Sequence, residues 1–178
     1  MRLFVAAWPD GPTSTRLSSL TLEPTGGLTL VRPGQWHVTL RFLGEVSGGL
    51  VPALVAALAT TTGGLPDRIR CEAGPATAWF SGARVLQIPV SGLDRVADDV
   101  RAATLPVVPD TDHRRPPFTG HMTVARAKRG RLDAAARTAL AGIPFSASFE
   151  IEHLDLVASQ SSPEGPSYTT LARVPVRG

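Results

Sequence analysis

The chain has 178 residues, a formal net charge of +3, and a composition that is 43% hydrophobic and 19% charged. That length holds one packed domain or two lobes sharing a core, and that balance excludes a disordered chain. The single cysteine, Cys71, excludes an internal disulfide framework and a Cys-based zinc site, and a reducing, cytoplasmic setting is expected. The apolar run from Leu3 to Trp8 meets Pro9-Asp10 too soon for a signal peptide. No apolar stretch nears the roughly 18 residues that a membrane span needs, so no membrane partner is expected.

Arg2 to Ala7 reads as an opening strand, followed by a poorly patterned, Pro- and Gly-punctuated stretch to Gly34. Trp36 to Phe42 is strand-like and ends at Gly44. Leu50 to Thr60 reads as a helix, Arg68 to Glu72 as a short strand, and Arg84 to Val90 as a clearer one. Leu93 to Thr104 has helical spacing, with Leu93, Val96, Ala97 and Val100 on one face. A Pro- and charge-rich loop from Pro106 to Pro117 leads into a strand from Gly120 to Ala125. Leu132 to Leu140 is an Ala-rich helix, in which Asp133 and Arg137 are spaced to pair. Ser148 to Val157 and Tyr168 to Val176 read as closing strands. Strands and helices are mixed, with hairpin-like loops and no interdomain linker. The expected fold class is therefore α+β with antiparallel sheets, in one domain covering 1–178. Walker and dinucleotide-type Gly-rich loops are missing, and Gly26-Gly27, Gly48-Gly49 and Gly63-Gly64 read as turns.

One short repeat carries chemistry. His37-Val38-Thr39-Leu40 and His121-Met122-Thr123-Val124 share a His-x-Thr pattern, 84 positions apart. In a strand, residues i and i+2 point the same way. Each segment thus offers an imidazole and a hydroxyl on one side and an apolar pair on the other. Chance alone supplies two His-x-Thr hits at about 5%. Requiring apolar residues at all four alternate positions lowers this to roughly one in a thousand, so the pair is informative where one copy is not. Two imidazoles on opposite sides of a phosphate can serve as base and acid in an in-line displacement. The hydroxyls of Thr39 and Thr123 can hydrogen-bond the non-bridging oxygens as charge builds up, and an arginine can stabilise it further; Arg41 and Arg126 follow the two segments.

Of the 18 cationic residues only Lys128 is lysine, and arginine forks suit phosphate, although a compositional bias accounts for most of them. Arg114, Arg115, Arg126, Lys128, Arg129 and Arg131 crowd around the second His-x-Thr segment. His113 lies in a charged loop and His153 on a strand with charged neighbours, so both read as surface residues. No His-x-His or His-x-x-x-His spacing supports a metal, and none is expected. Aromatic residues are few. Trp36 and Phe42, flanking the first segment, are candidate base-stacking platforms, with core packing the stronger reading for Phe42; Trp79 and Phe80 lie in a loop before a strand and are expected to be more exposed than Phe42.

These residues resemble the two-histidine phosphoesterases, and within them the bacterial and archaeal RNA 2′,3′-cyclic phosphodiesterases, first described as 2′-5′ RNA ligases. The resemblance covers nearly the whole chain. It includes Arg2-Leu-Phe-Val-Ala6, Trp36-His-Val-Thr-Leu-Arg-Phe-Leu-Gly44, Arg84-Val-Leu86, Phe118-Thr-Gly-His-Met-Thr-Val-Ala-Arg126, and the closing Ser159-Gln160, Gly165 and Tyr168. It implies a bilobal α+β fold in which two pseudo-symmetric antiparallel-sheet lobes, with helices outside, each contribute one His-x-Thr strand to a central cleft.

The resemblance further implies that His37 is the general acid, His121 the base, and a 2′-phosphate the product. Thr39, Thr123 and Arg126 would bind phosphate, without metal or organic cofactor. The partners would be RNA 3′ ends or small nucleotides carrying a cyclic phosphate, met by a monomer. Gly120 stands where the family usually has Pro before the second histidine, which is expected to loosen that strand's start. Gln87 replaces a frequent Trp. The rival readings are a relative acting on small cyclic nucleotides or 2′-5′ linkages, and an RNA-end-binding module without turnover.

Overall fold

In β1 (Arg2–Ala7), Leu3, Val5 and Ala7 turn to one face of a sheet while Phe4 and Ala6 turn to the other, and the whole architecture follows that division. The structure, a computed structural model, describes residues 1–22, 27–66, 68–80, 84–110, 117–128, 132–162 and 165–176. Among the described residues nine further strands follow: β2 (Leu28–Leu30), β3 (Val38–Glu45), β4 (Ile69–Ala73), β5 (Ala78–Trp79), β6 (Val85–Ser91), β7 (His121–Ala127), β8 (Ala147–Ile151), β9 (His153–Ser162) and β10 (Gly165–Pro175). Among the described residues four α-helices are interspersed: α1 (Gly11–Ser18), α2 (Val51–Thr62), α3 (Asp94–Thr104) and α4 (Ala134–Leu140).

The strands join in the order β10-β9-β1-β3-β7-β6-β4-β8, with β2 beside β7 and β5 beside β6; every pairing is antiparallel. The order reads as two halves meeting at β3 and β7. Each half contains the same run of strand, helix, strand, helix, namely β1-α1-β3-α2 and β6-α3-β7-α4, allowing for the short β2 inserted in the first. The α+β, two-lobed antiparallel architecture expected from the sequence is present, as one continuous sheet.

All four helices bury side chains in the larger core, on the side of Leu3 and Val5. Leu17, Leu54, Leu58, Val96, Val100 and Leu140 come from these helices. Each fully buried Leu there contributes roughly 1.5–3 kcal/mol. The opposite face carries a separate small cluster of Phe4, Ala6 and Val157, edged by Trp8, Phe42 and Tyr168. No helix covers this face in the packing described, and we refer to it as the cleft face.

Several elements differ from the sequence reading, among them the short β2 and β5, which fall in stretches read as unpatterned or as loop. Helix α1 lies in the stretch read as unpatterned. The Asp10 carboxylate caps it by accepting from the Thr13 amide at 2.8 Å, with Pro12 in the first turn. Its Thr- and Ser-rich sequence buries only Thr13 and Leu17, which leaves no apolar stripe to see. The strand expected over Ser148–Val157 is broken at Glu152 into β8 and β9, which lie at different places in the sheet, β8 beside β4 and β9 between β1 and β10. Asp133, expected to pair with Arg137, caps α4 through the Ala136 amide at 2.8 Å.

Candidate active site

β3 and β7 meet through the pairing of Val38 with Met122, both buried in the core. Extending that antiparallel register by one residue sets His37 beside Thr123 and Thr39 beside His121. The two His-x-Thr segments are thus related by a local two-fold through the Val38–Met122 bridge. Their imidazoles and hydroxyls share the cleft face.

Each imidazole is anchored in the same manner. His37 Nδ1 lies 2.7 Å from the Gln35 carbonyl and His121 Nδ1 lies 2.8 Å from the Thr119 carbonyl. A carbonyl only accepts, so Nδ1 carries the proton and donates in both. Nε2 of each ring is the nitrogen without this anchor.

Their surroundings differ. His37 is boxed by aromatic rings, with Phe4, Trp8 and Tyr168 at 5.0, 5.2 and 5.1 Å between centroids. Burial pushes its pKa below the ordinary 6.5, and the nearby positive charge of Arg126 and the field of His121 push the same way. The Gln35 carbonyl opposes them. His121 is half-buried and stacks on Phe80, with centroids 4.5 Å apart and planes 22° apart.

The arginines following the two segments are not equivalent. Strand alternation would set Arg41 on the face of His37 and Arg126 on the face opposite His121. Bulges in both strands reverse this. On β3, Ala6 pairs with Thr39 and Val5 with Arg41, so Leu40 is the extra residue. On β7, Gln87 pairs with Thr123 and Leu86 with Ala125, so Val124 is extra. Arg126 is therefore returned to the cleft face and exposed. Arg41 is only 2% exposed and binds the Thr104 hydroxyl, the Val108 carbonyl and Asp110. Its charge serves the fold, which leaves Arg126 as the one of the two that faces the cleft. The position matching Arg126 is Phe42.

Trp36 is also corrected. It is 7% exposed, within the main core, because alternation sets it with Val38 and Leu40, away from His37. Its ring is not a stacking platform. Phe42 is half-buried on the cleft face, with Arg2 over its ring at 4.8 Å, and it lines a cavity that also touches Thr39 and His121. Trp79 is half-buried, donating from Nε1 to the Arg137 carbonyl at 2.8 Å. Gln87 is buried opposite Thr123. Gly120 is required rather than loosening: a Cβ there would stand 2.2 Å from the Val90 carbonyl oxygen, and its own carbonyl accepts from the Val90 amide at 2.9 Å. His153 is half-buried at the start of β9, opposite Pro175. His113, Arg114, Arg115, Arg129 and Arg131 lie outside the described residues.

Sequence reasoning missed the box around His37. The alternation of Phe4, Ala6 and Trp8 along β1 was the available signal, because it sets both rings on the face that β1 shares with Thr39. Tyr168 reaches His37 only because the sheet curls, bringing β10 over β3. Gln35 Nε2 donates to the Pro166 carbonyl at 3.0 Å across the same gap. Among the described residues, no group of three His, Cys, Asp or Glu side chains is arranged to hold a metal. No described helix is long and apolar enough to cross a membrane.

Two anchored imidazoles, two hydroxyls and an arginine facing one cleft in a two-lobed antiparallel sheet define a two-histidine phosphoesterase. The profile of the 2′-5′ RNA ligase superfamily matches residues 14–163, and the chain belongs to this family of enzymes. It is 30% identical to the RNA 2′,3′-cyclic phosphodiesterase of Thermus thermophilus, over 100% of this chain and 91% of that one. It is also 30% identical to the RNA 2′,3′-cyclic phosphodiesterase of Archaeoglobus fulgidus, over 96% of this chain and 98% of the other. Among solved structures, TT0787 of Thermus thermophilus superposes with a TM-score of 0.85 at 28% identity, covering 100% of this chain and 99% of its own. E. coli LigT bound to 3′-AMP shares the fold at a TM-score of 0.72 and 22% identity, covering 98% of this chain and 97% of its own.

Proposed function

We propose that this protein hydrolyses RNA-terminal 2′,3′-cyclic phosphates to 2′-phosphates by acid–base catalysis between His37 and His121, without a metal. The observation that carries the reading is the Val38–Met122 pairing, which sets two Nδ1-anchored imidazoles and two threonines about one local axis. Two relatives bearing the name RNA 2′,3′-cyclic phosphodiesterase support the substrate.

In this reading the cyclic phosphate lies between the imidazoles. Thr39 and Thr123 donate to its non-bridging oxygens, and Arg126 balances the charge that builds on them. His121 Nε2 takes a proton from water as the water oxygen attacks phosphorus. The P–O3′ bond breaks, and the proton on His37 Nε2 passes to O3′. The half-exposed position of His121 favours contact with water, and the aromatic box favours His37 as the acid sheltered from it. The lowered pKa of His37 leaves it neutral in the empty cleft. An entering phosphate anion raises that pKa and loads the acid only when substrate is bound. These two proton transfers need no cofactor.

The continuous sheet supports taking 1–178 as one two-lobed domain, and we read it as a cytoplasmic monomer with Cys71 as a buried, free thiol. The modest charge of +3 favours a short RNA footprint, and a small cyclic nucleotide or a 2′-5′ linkage is the second substrate class to assay.

The test is a short RNA ending in a 2′,3′-cyclic phosphate, incubated in EDTA with the wild type, His37→Ala and His121→Ala. Turnover by the wild type with a loss of roughly 10²–10⁴-fold in each variant is expected. Binding without turnover by the wild type would leave only an RNA-end-binding module. Activity surviving both substitutions would overturn the assigned roles.

A further inference from the structure

Beside His121 and Thr39 a cavity of about 490 Å³ extends to α3, a volume suited to a nucleoside. Phe42, Phe80 and Phe118 supply flat apolar walls, and Asp98 and Arg101 supply charge. His121 and Thr39 belong to the same lining, so the cavity adjoins the groups assigned to the phosphate. Phenyl rings hold any base by stacking, so discrimination must come from the two polar side chains. Asp98 and Arg101 are three residues apart on α3 and so issue from one side of the helix, about 5–6 Å apart.

Arg101 is fixed from behind. Its Nε and Nη2 both donate to Asp110 Oδ2, at 3.0 and 2.6 Å. The other oxygen of Asp110 accepts from Arg41 Nη2 at 2.8 Å. Arg41 is itself buried and tied to β3 one bulge beyond Thr39. An ordinary surface arginine loses rotamer freedom on binding; this one is already anchored to a carboxylate that is 11% exposed. Arg101 nevertheless lines the cavity, and its Nη1 has no hydrogen bond among the described residues. Asp98 has no ion-pair partner among the described residues. The charged groups around this cavity, Asp98, Arg101, Asp110 and Arg41, thus leave one carboxylate and one guanidinium edge for a ligand, beside the His121 imidazole.

We propose that the cavity receives the base of the nucleotide carrying the cyclic phosphate, and that Asp98 and Arg101 select guanine. The proposal rests on the phosphoesterase reading above. Guanine presents two adjacent donors, N1–H and N2–H, to a carboxylate, and two acceptors, O6 and N7, to a guanidinium. Adenine and cytosine set a ring acceptor beside their amino group, which a carboxylate repels. Uracil offers a single N–H between two carbonyls.

The experiment compares kcat/KM for the four nucleoside 2′,3′-cyclic monophosphates in the wild type, Asp98→Asn and Arg101→Ala. The wild type is expected to favour guanosine over adenosine by about 10-fold or more, and each substitution to bring that ratio toward one. Both positions are exposed on α3, so the fold tolerates the changes. A flat wild-type profile, or a ratio unmoved in both variants, overturns the proposal. Should the wild type turn over none of the four, the phosphoesterase reading is decided separately by the RNA assay above. Calorimetric titration with the four nucleoside 3′-monophosphates then decides base selection by the same ratios.

Discussion

Val38 and Met122 pair across β3 and β7 at the point where the two halves of the sheet meet, and both side chains are buried on the helix side. Their burial forces the residues on either side of them, His37, Thr39, His121 and Thr123, onto the opposite face. The cleft thus inherits its geometry from two apolar residues that never touch it.

The arginines after the two segments should separate cleanly by phenotype. Arg126→Ala is expected to lower kcat/KM by about 10²-fold or more while leaving the melting temperature nearly unchanged. Arg41→Ala removes a buried guanidinium together with its bonds to Thr104, Val108 and Asp110 and is expected to cost about 3 kcal/mol of stability in urea unfolding. Equal losses of activity with no loss of stability would contradict the bulge assignment.

The same contrast holds for two aromatic residues. Trp36→Ala empties core volume and is expected to destabilise by about 3–5 kcal/mol. Phe42→Ala should instead raise KM for a nucleotide substrate about 5-fold or more, read from steady-state kinetics. A Trp36 variant that unfolds normally but binds weakly would reverse the two placements.

His37 should titrate below 6.5 when followed by NMR, chiefly because it is buried. Arg126→Ala and His121→Ala each remove a contribution that lowers it, so each should move the midpoint upward, as should added phosphate. The sign for stability follows from linkage. A folded value below the unfolded one means that the contribution is complete above about pH 6.5 and is lost as pH falls through the folded value. His37→Gln should therefore flatten the stability profile on the acid side of neutrality.

Gly120→Ala inserts a Cβ 2.2 Å from the Val90 carbonyl oxygen. Backbone cannot retreat as a flexible side chain can, and a loss of about 1–3 kcal/mol in thermal or denaturant unfolding is expected. Because His121 is the next residue and its ring is held by the Thr119 carbonyl, kcat should fall as well. Unchanged stability would mean that the β6–β7 contact relaxes more easily than its geometry implies.

Much of this was legible from residues a few positions apart. The alternation in Val38-Thr39-Leu40 and Met122-Thr123-Val124 marks two strands with one chemical and one apolar face, and the apolar stripe of Val96, Ala97 and Val100 marks α3. The cap-driven α1 was hidden because the Asp10 carboxylate and Pro12, rather than an apolar periodicity, start it. The break at Glu152 was hidden because both flanking segments alternate well enough to read as one strand.

By itself, then, the sequence determined that two imidazole-and-hydroxyl faces exist, since strand alternation is a local rule written into consecutive residues. Only the tertiary structure decided which neighbours join them. The bulges at Leu40 and Val124 arise from pairing with β1 and β6, far away in the chain, and they turn Arg126 into the cleft and Arg41 into the core. Likewise, the curl of the sheet brings Tyr168 from β10 onto His37, and burial there, not any feature of the His-x-Thr pattern, makes the two histidines unequal.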